Sequence, residues 1–600
     1  MGQAKARPLH AMWLKSELLE EKSLGLHPQS EVLVAVAVGG SNLSSAGYPF
    51  IVEDSFYNFI SSVPHLFEDG ERILQWVDDL DAILASRNDV DEDALASLKR
   101  TRKVLRNMVY TAAITAPSDL WLLRQVLGAH AQRGLLQPLL EGKCFRPEDF
   151  ASEFGLDLEQ LLRDWHFLVS RAYLTVKDGS YGISSNPASA AVLANAKPIP
   201  KAWRVSVIAA FVGFLRDDEC QRSRFLEKFL AFEAEAAPTG SWVANYREIE
   251  IGYRLLPLVL GLRAANLHVG LVLGADASQV VPKLLPCMIQ LLQAAGTVDQ
   301  SGKVTRLGAR VFERGSGPFG IIGAYDAYLN RLDELLLGNK VDSWVSRGEN
   351  VAASQDANRK TFKDGNDTLD RFCADYRFEY AAYIEHAVGK GEATRQRFQR
   401  NGEESILYFG ADLEDAAIDE AVKQQALGEL PGNMRFIRGA DIGVPEKVTG
   451  QLEAWGVPTH GAVMIVGNGF HEIRNQTNDK MKAVFEGYQK AGFFLIFTEE
   501  SALSDKDLLN TAWNTYHAGF RYVHEISGQG LRPAEVEENE GRWSWSHCAQ
   551  EAGYLVHPDY SCRTRTIFPF RKGAHNNPSI SMTYFCIPTD FVDELGVVAQ

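Results

Sequence analysis

The sequence predicts an α/β chain: a mostly helical first half with winged-helix elements, followed by an open, mainly parallel sheet. Three observations carry this. Before about residue 340 the apolar residues recur at three- and four-residue spacing. After it, short apolar, β-rich runs alternate with helical segments, the pattern of βαβ units. Several of those runs end on a glycine-rich turn or a carboxylate, where open α/β sheets bind ligands.

A chain of 600 residues exceeds what one hydrophobic core supports, so several domains are expected. The expected divisions are 1–140 (helical), 141–240 (first winged-helix unit and helices), 241–345 (second winged-helix unit and a connection) and 346–600 (the sheet domain). Apolar content of 46% and charged content of 23% are those of ordinary globular proteins. No apolar run reaches the length of a membrane helix, and the N-terminus lacks a secretory h-region. Ala6 stands where a myristoylation signal needs Ser or Thr. The 7 cysteines are scattered, with no CxxC pair, which fits a reducing compartment. A cytoplasmic protein with no membrane partner is expected. The formal charge of −16, with no basic block, speaks against nucleic acid.

In the helical half, Leu14–Leu24, Ala82–Ala113 and Leu120–Leu140 carry helical periodicity, and these N-terminal helices are candidates for a homodimer contact. Pro147–Ile183 reads as helix, turn at Gly155, helix and hairpin around Asp178–Gly179, a winged-helix order. Val281–Gly308 repeats the plan with Ser301–Gly302 at the hairpin tip. The second helix of the first unit carries Asp157, Glu159 and Asp164 against Arg163 and Arg171. A DNA-reading helix presents a basic face to phosphates, so a lid or dimerisation role is the expected one.

In the sheet half, Glu379–His386 reads as the first strand, followed by Gly389-Lys390-Gly391 and a helix. The second strand ends at Asp412 and the third at Asp441. "GAVMIVGNGFHE" gives the fourth, Gly492–Ser501 the fifth, and Ser579–Pro588 alternates like a last strand. A dinucleotide fold and its S-adenosylmethionine-binding relative both remain open here. Against the first, the third glycine of GxGxxG is missing, and Glu392 at the helix start would repel a pyrophosphate. Asp412, ~20 residues beyond the turn, suits ribose hydroxyls in either fold.

The order of these elements resembles class I S-adenosylmethionine-dependent methyltransferases, with a Rossmann-like domain over residues 345–600, an acid at the end of strand three, and a characteristic antiparallel last strand. Thr305–Leu329 resembles the lid connection that precedes such domains. More narrowly, "SRGENVAASQDANRKTF", "IEHAVGKGEATRQR", "ADLEDAAID", "VGNGFHEIRNQT" and "FTEESALS…NTAWNTYHAGFRYVHE" resemble the mononuclear iron-dependent domains of the apratoxin starter-unit type. The resemblance implies methyl transfer to a small-molecule or acyl-carrier-bound acceptor in natural-product biosynthesis, C-methylation with a mononuclear Fe(II) or Mn(II). It implies His471 and Gln476 as metal ligands, and Glu385, His386, Gly389, Gly391, Asp412, Asp441, Ile442 and Asn468 as the S-adenosylmethionine site. Catalytic candidates are His471, Glu499, Tyr516 and His517. From the residues alone, His471 can equally cap a helix or act as general base in a metal-independent O- or N-methyltransferase, and Gln476 can be a solvated face.

Overall fold

The computed structural model describes residues 41–43, 49–51, 66–85, 92–204, 207–216, 220–231, 243–340, 347–402, 406–511, 517–534, 541–566 and 579–597. The chain resolves into two compact units. One holds 1–345 with 504–523 and 567–578; the other holds 346–503, 524–566 and 579–600. The predicted helix Leu14–Leu24 lies outside the described residues, as do Trp513, Asn514 and Tyr516.

The first unit is mostly helical. Helix α1 (Leu66–Ala85) precedes α2 (Glu92–Gln132), which runs unbroken through Pro117 and so joins two runs that the sequence reads as separate. Helix α3 (Pro147–Phe154) stops at Gly155, whose φ of 64° is the left-handed conformation glycine adopts without strain. Asp157 then caps α4 (Leu158–Ser170) by accepting from the Gln160 amide. Strands β1 (Leu174–Lys177) and β2 (Ser180–Ile183) pair antiparallel across Asp178–Gly179. Trp165 fills the space between Phe150 and Tyr181, with both ring centroids 5.0 Å away. Helix α5 (Tyr246–Ala264) begins with a reciprocal Asn245–Glu248 capping box and packs on α2. Helix α6 (Pro286–Ala294) leads to a small turn closed by a Val298–Val304 bridge.

One buried polar cluster in this unit centres on Asp164. His130 Nε2 lies 2.8 Å from Asp164 Oδ2, and Asp164 Oδ1 accepts from Gln160 Nε2 and the Tyr522 hydroxyl, both at 2.7 Å. The three donors face one carboxylate, which satisfies a group otherwise costly to bury.

The second unit is a doubly wound sheet. Helix α7 (Arg347–Tyr376) leads into β3 (Ala382–His386), α8 (Glu392–Asn401), β4 (Leu407–Asp412), α9 (Asp415–Ala426), β5 (Arg435–Arg438), α10 (Glu446–Ala454), β6 (Val463–Gly467), α11 (Asn478–Lys490) and β7 (Phe494–Glu500). Helix α12 (Trp545–Glu551) and strands β8 (Tyr554–Val556), β9 (Cys562–Thr566) and β10 (Ser579–Pro588) complete it. The order across the 8-stranded sheet is β8-β10-β7-β6-β3-β4-β5, with β9 pairing beside β10. Strands β3 to β7 are mutually parallel, whereas β10 runs antiparallel to β7 and β8. The sequence expectation of an antiparallel last strand at Ser579–Pro588 matches this sheet. The third strand ends at Arg438, three residues before the predicted Asp441, because Gly439 turns the chain with φ 61°.

Strands β3 and β6 are buried almost throughout, as expected of a sheet covered on both faces. One apolar cluster, with Met464, Phe470, Phe485 and Phe497, lies on one side of it. A second, with Phe362, Phe372, Ile384's neighbour Tyr383 and Phe494, lies on the other. No helix among the described residues is long and apolar enough to cross a membrane.

Candidate active site

The chain winds from β3 outward through β4 to β5, then returns to place β6 on the other side of β3. The carboxyl ends of β3 and β6 therefore flank the point where the winding reverses, the position at which open α/β sheets form a crevice. Two loops meet there.

The first follows β3. Ala387, Gly389 and Gly391 have φ of 57°, 51° and 74°. A left-handed alanine is uncommon, and such conformations concentrate where a backbone is shaped for a ligand. The loop closes through Gly391 N–H to Val388 O at 2.6 Å. Gly389 N–H donates to Asp412 Oδ2 at 3.4 Å, while Asp412 Oδ1 accepts from Glu414 N–H at 3.0 Å. Asp412 is thus brought to the glycine loop from the end of β4. His386 is buried and its Nδ1 accepts from the Ala387 amide at 2.9 Å.

Glu385 does something else. Its two carboxylate oxygens accept from the amides of Ala393 (3.2 Å) and Thr394 (2.7 Å) in the first turn of α8. It caps that helix from inside the sheet. Burial pushes its carboxyl up to about 7, although the two amides favour the charged form. Glu385 was expected at the donor site; in the structure it holds the helix that follows the loop.

The second loop follows β6. Asn468 has φ 56° and its amide donates to Thr498 O at 2.8 Å. A Cβ on Gly469 would meet Val466 Cγ1 at 2.8 Å, Ile442 Cδ1 at 3.0 Å and Ala387 Cβ at 3.8 Å. Ile442 and the two loops therefore converge at the reversal point. Asp441 lies beside them in its own turn, accepting from Gly443 N–H at 2.8 Å. Gly467 has a different reason to be glycine, since a Cβ there would stand 2.5 Å from Phe362 Cζ.

Phe470 anchors the second loop in the core, with its ring 4.8 Å from Phe485 and 5.3 Å from Phe497. The next residue, His471, is carried to the end of β7. Its Nδ1 lies 2.7 Å from Glu499 Oε2, and Glu499 Oε1 accepts from Phe470 N–H at 2.5 Å. Both oxygens of Glu499 are thereby used, and the residue is fully buried. His471 Nε2 faces Glu472 Oε1 at 3.6 Å, and the His524 ring stands 5.1 Å from the His471 ring. Gln529 Nε2 donates to Glu472. Burial alone opposes a charged ring, but Glu499 and Glu472 outweigh it and push the imidazole up to about 10. Consecutive strand residues face opposite sides, so Glu500, paired with Arg565, lies on the other side of the sheet from Glu499.

This environment suits a cation at Nε2. A carboxylate on Nδ1 is also the usual orienting partner of a metal-bound imidazole. His471 and Glu472 thus fit a divalent ion, although among the described residues no group of three or more His, Cys, Asp or Glu is placed to hold one. Gln476 is committed elsewhere: its Nε2 donates to Phe470 O (2.9 Å) and Gly530 O (3.1 Å), and its Oε1 accepts from Arg532 Nε (3.1 Å). His517 is buried at the start of the helix His517–Ile526 and belongs to the first unit. Gln529 and Arg532 lay outside the quoted motifs, and Glu472 and His524 lay inside them without an assigned role; the structure gathers the four from two separate segments.

No family model matches the chain, and no curated protein matches it. Among solved structures, the CurJ carbon methyltransferase shares 9% identity over 88% of this chain and 99% of its own, with a TM-score of 0.38. The DszA carbon methyltransferase shares 13% over 81% and 92%, with a TM-score of 0.33. An O-methyltransferase family 2 protein from Planctomyces limnophilus, solved with apigenin, shares 10% over 78% and 94%, with a TM-score of 0.32. At these scores the likeness carries no argument about the chemistry of this chain.

Proposed function

We propose that this chain is an S-adenosylmethionine-dependent methyltransferase whose acceptor is activated beside His471. The observation that carries the reading is the strand order β8-β10-β7-β6-β3-β4-β5 with β10 reversed. It puts the Gly389–Gly391 loop, Asp412 and the His471 loop at one reversal point. Glu385 favours this donor over a dinucleotide, because its carboxylate already occupies the α8 amides that a pyrophosphate would need. S-adenosylmethionine carries no phosphate. Asp412 supplies a carboxylate for ribose hydroxyls, and Ile442 an apolar wall for the adenine.

Methyl transfer is an in-line displacement, so the protein's work is to orient donor and acceptor and to balance charge. With two carboxylates beside it, the His471 ring rests as a cation. In that form it stabilises an acceptor that reacts as an enolate or alkoxide. Glu499 keeps Nδ1–H directed and leaves Nε2 for the acceptor side. The same surroundings favour Fe(II) or Mn(II) on Nε2, with Glu472 as the adjacent oxygen donor; a bound ion would supply a Lewis acid for the acceptor's oxygens. We read the acceptor as a small or carrier-bound acyl compound methylated at carbon, and the α3–α4–β1–β2 unit as a winged-helix lid. The alternative, metal-independent O- or N-methylation with His471 as general base, needs the neutral ring, which these carboxylates disfavour.

A mass-spectrometric search for products heavier by one methyl group, across carrier-bound and free carboxylic acids with and without chelator, tests the proposal. Product that forms only without chelator supports the metal-assisted reading. Product formed equally after exhaustive chelation turns it to the alternative, and failure of the wild-type chain to bind S-adenosylmethionine removes both.

A further inference from the structure

Arg532 is fully buried, yet it makes no ion pair among the described residues. Its guanidinium is held instead by neutral acceptors. Nε donates to Gln476 Oε1 at 3.1 Å, Nη1 to Asn478 Oδ1 (2.9 Å) and Trp543 O (3.0 Å), and Nη2 to Thr477 O (2.9 Å). Its own carbonyl accepts from Ala502 N–H at 2.9 Å, just past the end of β7. A planar fork of five donors is the form of cation that fixes several segments at once.

What Arg532 fixes leads to His471. Gln476 uses its nitrogen to join Phe470 O to Gly530 O, and Gly530 N–H donates to His471 O at 3.0 Å. The His471 turn is thereby clamped on both sides of its own residue. A Cβ on Gly530 would stand 2.7 Å from Gln476 Cδ and 2.8 Å from Oε1, so glycine there makes room for the clamp.

We propose that Arg532 and Gln476 are positioning residues: Arg532 orients the Gln476 amide, and that amide sets the His471 turn so that Nδ1 meets Glu499. Neither touches the reacting atoms. The inference rests on the methyltransferase reading for its purpose, but the clamp itself can be measured without it.

The readout is the downfield ring proton of the His471–Glu499 hydrogen bond, in proton NMR spectra of the full-length chain in metal-free buffer. Its disappearance in Glu499→Gln identifies it. Gln476→Ala is expected to shift or broaden it, and so is Arg532→Lys, which keeps the charge and loses the fork. Because one acts through the other, adding Arg532→Lys to Gln476→Ala should move the signal no further. An unmoved signal in Gln476→Ala overturns the inference, as does an Arg532→Lys shift of the same size in both backgrounds. If Arg532→Lys does not fold, Gly530→Ala carries the test: a moved signal supports the clamp and an unmoved one overturns it. Calorimetric binding of S-adenosylmethionine by the wild-type chain, measured separately, reports on the methyltransferase reading alone.

Discussion

His471 Nδ1 and Glu499 Oε2 lie 2.7 Å apart, in a pair closed to solvent on the Glu499 side and nearly so on the other. In the proposed reading, the carboxylate fixes which ring nitrogen is left for chemistry. Glu499→Gln keeps the shape but removes the charge and presents an ambiguous amide. Methyl transfer should fall by roughly 10²–10³-fold, the usual cost of losing one group that stabilises developing charge, with donor affinity unchanged. Initial rates and donor calorimetry on the same preparation check this, and a rate within a few-fold of wild type would count against the pair.

Gly391 sits at φ 74°, and a Cβ there would meet Leu430 Cδ1 at 2.8 Å. Gly391→Ala combines backbone strain with crowding, about 1–3 kcal/mol in all. Donor binding should weaken by about tenfold or more by calorimetry, while His471→Ala leaves it near wild type. Equal affinity in Gly391→Ala and wild type would move the donor away from this loop.

Glu385 has a folded-state pKa of about 7, above its ordinary 4.5. Folding therefore prefers its protonated form. Its contribution to stability is fullest below about 4.5 and is lost as pH rises to about 7. Relative to Glu385→Gln, the wild-type thermal midpoint should drop across that window and then level off. Parallel curves across that window would show that the carboxyl stays charged in the fold.

A metal at His471 should be visible without any substrate. Elemental analysis of the wild-type chain is expected to find bound iron or manganese that His471→Ala lacks and Gln476→Ala retains, since Gln476 faces Arg532. Loss of metal in Gln476→Ala with the His471–Glu499 proton signal unmoved would restore that residue as a ligand.

In the first unit, Asp164 serves three buried donors at once. Asp164→Ala strands His130, Gln160 and Tyr522, at a cost of about 3 kcal/mol or more. Its thermal midpoint should fall well below that of the exposed-site variant Glu159→Ala.

Much of the second unit was legible in the sequence because its signals are local. Apolar runs marked β3, β4, β6, β7 and β10, and glycines and acids marked where they end. The end of β5 was overrun because Gly439 did not by itself mark the turn that its φ of 61° makes after Arg438. The site was half legible. His471 and Glu499 stand out as a histidine after one strand and a carboxylate after the next. Their partners do not: Gln529 and Arg532 reach the site from over fifty residues away in sequence, and Gly467 is small because of Phe362 on a distant helix. Gln476 was expected as a ligand only from the resemblance; in the structure its oxygen accepts from the buried Arg532 guanidinium.

The carboxylate of Glu385 under the first turn of α8 has a consequence for selectivity in a cell. In the proposed reading, a carboxylate on the Ala393 and Thr394 amides sets a negative charge where the phosphates of a nucleotide would lie, so a donor site there would discriminate by repulsion rather than by fit. As that carboxyl titrates near neutrality, the discrimination should sharpen on the alkaline side and relax on the acidic one.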